Sequence, residues 1–106
     1  MASVAEIFEA MPSKFKAEAA AGMDAVYQYV IDGDDGGAWH TLIKDGTLTA
    51  VEGTHESPSV TLSMKSSDYI DLAEGRLNGQ AAFMTGKLKI QGDMSLALKL
   101  NSLFGE

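Results

Sequence analysis

The chain has 106 residues, no cysteine, and 15 acidic residues against 8 basic ones, for a formal charge of −7. Its length suits one domain, expected over residues 1–106, and the missing thiols exclude disulfides and thiolate metal sites. The acidic balance argues against nucleic acid, which is held mainly by cations on phosphate, and limits any contact with anionic membranes to a transient one.

In chain order, Val4, Ile7, Phe8, Met11, Phe15 and Ala19 recur at helical spacing and predict a helix over residues 3–22. Pro12 is expected to break or restart it, and Gly22 to close it. Residues 25–31, AVYQYVI, read as a strand, followed by an acidic turn over residues 32–37. Strands at 38–44 and 47–52 flank Asp45-Gly46, a two-residue hairpin signal because both central positions take positive φ. After a loop over residues 53–59, residues 60–64 form a fourth strand. Ser66 or Ser67 is the expected N-cap of a helix through Glu74. A short helix over 80–85 ends at Gly86, a fifth strand covers 87–91, and Asp93 is the expected cap of a last helix over 94–104. Hairpins followed by helices point to an α+β layered fold.

Four chemical motifs fail on spacing. Counted from Asp32, a calcium loop would need an acid or amide at Gly36 and a glutamate at Ile43, so the acidic stretch reads as a solvated hairpin turn. A phosphate loop ending at Gly86-Lys87 would need glycine at Ala81 and a hydroxyl at Leu88. A zinc site would have to join His40 to His55 and to Glu52 or Glu56, and nothing in the spacing demands it. No Gly-x-Ser-x-Gly elbow is present. Asp68 and Asp71 read as acids complementing a helix dipole. No catalytic residue, metal or cofactor is therefore expected, and the chain is read as a non-enzyme.

The apolar features remain. In the last helix Met94, Leu96, Ala97, Leu98, Leu100, Leu103 and Phe104 span an arc too wide for one buried stripe. A bound apolar ligand or a partner's surface must cover the rest. Met11, Met23, Met64, Met84 and Met94 are flexible gap-fillers suited to core packing or to an adaptable cavity. Trp39 suits the core or a pocket wall.

The run from Gly79 to Leu103, with QAAFMTGKLKIQGDMSLALKL at its heart, resembles the sterol carrier protein 2 family. So, more loosely and in the same order, do EIFEAMP at 6–12, WHTLIKDG at 39–46 and VTLSMKSSDYIDL at 60–72. The resemblance implies a five-stranded, mixed but mainly antiparallel twisted sheet covered by helices on one side. A hydrophobic tunnel would run between the layers, bordered by the C-terminal helix. It also implies ligand-binding positions at Trp39, Gln80, Phe83, Met84, Met94 and Leu98, and at Leu103 and Phe104 of the last helix, with Gln80 orienting a headgroup. The chain ends Leu-Phe-Gly-Glu rather than in a peroxisomal Ser-Lys-Leu-type address, and MASVAE at its start is not a signal peptide. A stand-alone, prokaryotic-type cytoplasmic member is therefore expected.

The expected function is a lipid carrier, monomeric or weakly dimeric, taking a fatty acid, acyl-CoA, phospholipid or sterol-like molecule. The alternative is an accessory module that offers the same apolar surface to a protein partner or a second copy.

Overall fold

Extended chain puts alternate side chains on opposite faces, and the strands here use that period to build one greasy face. The computed structural model describes residues 3–104. Strands β1 (Asp24–Asp32), β2 (Gly37–Lys44), β3 (Thr47–Glu52), β4 (Val60–Lys65) and β5 (Lys89–Gly92) form one sheet in the order β3-β2-β1-β4-β5. Neighbours are antiparallel except β1 and β4, which run parallel. Register places Tyr27 beside Thr41 and Val60, and Tyr29 beside Trp39 and Leu62. Tyr27, Tyr29, Ile31, Trp39, Ile43, Val60 and Leu62 are all buried on this face.

Helices α1 (Val4–Lys14), α2 (Ser66–Ala73), α3 (Gly79–Met84) and α4 (Met94–Phe104) supply the second layer. The centre of the core is aromatic. Phe8 of α1 stacks on Trp39 at 4.8 Å between centroids and on Tyr69 of α2 at 5.0 Å, and meets Tyr29 edge-on at 5.0 Å. Such pairs add attraction beyond the area they bury.

The ends of the elements explain where the sequence reading and the structure part. A capping box starts α1: Glu6 N donates to Ser3 Oγ and Ser3 N to Glu6 Oε1. The Ser3 N–H first, and then the Ser3 hydroxyl, hold the Glu6 carboxyl below its usual range. Pro12 does not break α1, which runs on to Lys14. The break comes at Phe15, whose extended backbone lets its ring meet Phe104 at 6.0 Å while Lys16 N donates to Leu103 O. A 3₁₀ turn over Ala17–Ala20 replaces the expected helix end, and Gly22 follows at φ +76°.

The N-cap of α2 is Lys65, with no side-chain cap bond. Ser66 instead donates its hydroxyl to Asp34 O. In the same acidic turn Asp35, at φ +66°, accepts from Val4 N at 2.8 Å. The turn expected to be merely solvated thus ties two helices to the sheet. Asp45 and Gly46 take φ +54° and +75°, as their hairpin requires. Asp71 lies near the end of α2 and pairs with Arg76 at 2.8 Å rather than serving the helix start. Asn78 caps α3 by accepting from Gln80 N and Ala81 N.

On the other face of the sheet, the loop over residues 53–59 covers Gln28 and His40. Gln28 Nε2 donates to Trp39 O at 3.0 Å and lies within 3.3 Å of Gly53 O, and its Oε1 accepts from His55 N at 2.7 Å. His40 Nδ1 donates to Gly53 O at 2.9 Å. The His40 and His55 rings meet edge-to-face at 5.3 Å, and His55 Nδ1 accepts from Ser57 N. Among the described residues no group of three or more His, Cys, Asp or Glu side chains could hold a metal ion.

Candidate functional site

Between the helix layer and the β4–β5 end of the sheet lies a cleft of about 1060 Å³. Its floor is Tyr29, Leu62, Met64 and Ile90. These belong to one face because Leu62 pairs with both Tyr29 and Ile90. Ile7 and Met11 of α1, one helical turn apart, form one wall, and Tyr69 and Leu72 of α2 adjoin it. The remaining sides come from Phe83 and Met84 of α3 and from Met94, Ala97, Leu98, Leu100 and Phe104 of α4.

Helix α4 owes its wide apolar arc to two different tasks. One flank is packed: Leu103 is fully buried, and Leu96 and Leu100 are half-buried against the core. The other flank reaches the cleft rim, where Leu98 is 68% and Met94 42% exposed. Two bonds fix the packed flank, Tyr27 Oη donating to Leu96 O at 2.7 Å and Lys16 N to Leu103 O at 2.8 Å. Asp93 starts the helix by accepting from Ser95 N at 3.0 Å. The Ser95 hydroxyl bond, chiefly, holds its carboxyl below the usual range. Gly92 must be glycine here: at φ +104° a Cβ would come within 2.7 Å of Ser59 O.

Of the residues expected to bind a ligand, Gln80, Phe83, Met84, Met94, Leu98 and Phe104 line this cleft. Trp39 and Leu103 do not. Trp39 lies under Phe8, on β2, away from the β4–β5 end. Leu103 points into the core from the packed flank of α4. The lining also takes in Met11 and Met64, two of the methionines read as suited to the core or to an adaptable cavity, and Ile7, Leu62, Tyr69 and Ile90, which sequence reasoning did not single out as lining residues. The signal for Leu62 and Met64 was present in the period-two pattern of β4, and that for Ile7 and Met11 in their helical spacing.

The polar fixtures are few: Lys14, Glu74, Asn78 and Gln80 reach the cleft from its edges, and Asn78 Oδ1 is already spent on the α3 cap. At the floor, burial first and then Tyr27 raise the Tyr29 phenol above its ordinary pKa, against a lowering bond from Thr41. Burial, then Tyr29, raises that of Tyr69. Both shifts move away from neutrality, the opposite of what an acid–base site needs. The arrangement is suited to enclosing apolar matter with a few polar groups at its rim.

The same architecture recurs among known proteins. A structure of palmitated SCP2L2 from Aedes aegypti superposes with a TM-score of 0.73 at 25% identity, covering 95% of this chain and 93% of that one. Part of the stereoselective inverting sec-alkylsulfatase Pisa1 from Pseudomonas sp. does so at 0.78 and 23% identity, over 94% of this chain and 15% of that one. Hydroxysteroid dehydrogenase-like protein 2 of Xenopus tropicalis is 38% identical over 102 residues, which are 95% of this chain and 24% of that protein. The chain thus spans about a quarter of the length of that curated relative. Residues 4–105 match the SCP-2 sterol transfer family, and the chain belongs to it.

Proposed function

We propose that this chain is a lipid carrier that takes an acyl or sterol-like molecule into the cleft between its layers and catalyses nothing itself. The observation that carries the reading is the cleft: an apolar floor and walls, with Phe83, Met84, Met94 and Leu98 left exposed around it. Exposed apolar side chains grouped at one opening mark a binding surface. Each methylene of a chain moved out of water there contributes about 0.8 kcal/mol before the costs of ordering it. The palmitated Aedes aegypti relative supports an acyl ligand.

Phe83→Ala removes one wall, and Leu98→Glu places a charge at the rim. Each is expected to weaken binding of a fluorescent fatty acid about tenfold. Both positions are exposed, so melting should shift little, by about 0.5 kcal/mol or less in stability. Unchanged affinity in both variants would sink the reading. Native mass spectrometry of freshly purified protein, followed by organic extraction, would identify the class of lipid carried.

A second reading is an accessory module, favoured by one observation: this chain matches only about a quarter of a relative named as dehydrogenase-like. Light scattering after size exclusion separates the two, because a stable dimer that takes up no lipid would favour the module.

A further inference from the structure

A second hollow, of about 400 Å³, adjoins the cleft where β4 passes into α2. Its wall gathers Lys65, Lys87 and Lys89, three of only 8 basic residues in a chain of charge −7. Two acids, Asp32 and Asp68, share the wall, so cations exceed anions there by one while the whole chain is strongly acidic. Among the described residues the ion pairs are those of Arg76 with Asp71 and Glu74, and the three lysines enter none. The Thr85 hydroxyl in this wall donates to Ala81 O and is left only as an acceptor. The lysines, Ser63 and Ser67 are the side-chain donors the basin has to offer.

The two hollows share one border. Met64 borders both. Around β5 the period of two sends Leu88 and Ile90 to the cleft, and Lys87 and Lys89 to the basin. Phe83 and Met84 end the cleft wall where Thr85 and Gly86 begin the basin. On α2, Tyr69 borders the cleft and its neighbour Asp68 the basin. An apolar hollow and a cationic one that meet at Met64, beside the edge strand β5, fit the two halves of an anionic amphiphile.

We propose that the basin binds a phosphate ester through Lys65, Lys87 and Lys89, as the headgroup of a lipid whose tail lies in the cleft. The tail half of this assignment rests on the lipid-carrier reading. A phosphate monoester carries up to two negative charges and three acceptor oxygens. Flexible lysines from separate elements can converge on it as point charges, without the fixed planar geometry that a single carboxylate favours in arginine. A neutral or choline-type head would gain nothing from the same surroundings.

The test is calorimetric binding of hexadecyl phosphate, hexadecanol and glycerol 3-phosphate to the wild-type chain, to K65Q/K87Q/K89Q, and to K44Q as a lysine control outside the basin. All the substituted lysines are exposed, so the variants should keep the fold, checked by circular dichroism. The expected result is that wild type binds hexadecyl phosphate about tenfold tighter than hexadecanol at low salt. That gap should close in the triple variant and in about 0.5 M NaCl, and persist in K44Q. A gap under about twofold in wild type, or one that survives the triple substitution, overturns the assignment. If neither long-chain probe binds but glycerol 3-phosphate does, in a lysine-dependent way, the carrier reading falls and the basin remains a site for free phosphate esters. Failure of all three probes overturns both.

Discussion

Tyr69 packs its ring against Phe8 and Tyr29, yet its Oη lies buried with no hydrogen-bond partner among the described residues. Stripping a hydroxyl of water with nothing in return costs about 1–3 kcal/mol. Tyr69→Phe keeps the ring and removes that cost, so stability should hold or rise by up to about 1 kcal/mol, read from the midpoint of urea unfolding. A fall of more than about 1 kcal/mol would show that the hydroxyl finds a partner in solution. Gln28 is the opposite case. Its 2% exposure is tolerable only because its amide bonds Trp39 O and Gly53 O and receives His55 N. Gln28→Leu removes the acceptor of the half-buried His55 N–H and a donor to Trp39 O, leaving Gly53 O to His40 alone, and should cost about 2–3 kcal/mol. The His55 amide should also exchange its hydrogen faster, whereas an unaltered exchange rate would mean that other bonds hold the 53–59 loop.

At the scale of elements, what was legible in the sequence was period and turn chemistry. Aromatic and β-branched residues marked β1, Asp45-Gly46 fixed the hairpin of β2 and β3, and the acid at Asp93 marked the start of α4. Apart from Asp71, which pairs locally with Arg76, the misses depend on contacts distant in sequence. The end of α1 at Phe15 depends on Phe104 and Leu103. Ser66 caps nothing because Asp34 O engages its hydroxyl first. Asp35 serves a helix start thirty-one residues before it in the chain. The cleft was half legible for the same reason. Its α4 rim follows from a local excess of apolar residues and its α3 rim from the family resemblance, but its floor needs β1, β4 and β5 to be aligned. That alignment also decides that Trp39 and Leu103 belong to the core. An arc of apolar residues says that a helix has two apolar neighbours, not which flank meets which.

At the scale of the molecule, all three tyrosines belong to the sheet–helix interface. Burial first and then Asp93 push Tyr27 up to about 12, and burial raises Tyr29 and Tyr69 further. A folded pKa above the unfolded value of 10 means that stability is intact below pH 10 and is lost as pH rises toward about 12 and beyond. Phenolate absorbance and loss of circular dichroism should therefore rise together above pH 10. Three tyrosines ionising at their ordinary pKa in a chain that stays folded would contradict the burial described here. The parallel pairing of β4 with β1 has a consequence for the order of assembly. Strands β1, β2 and β3 are joined by short turns and pair at little cost in loop closure, whereas β4 must return across a longer loop to the far side of β1. Everything that walls the cleft apart from α1 and Tyr29 comes from β4 onward. The meander is the early, persistent half, and the hollow is the last part to form and the first to be undone, so a chain that loosens there can admit or release a guest while its meander stays paired.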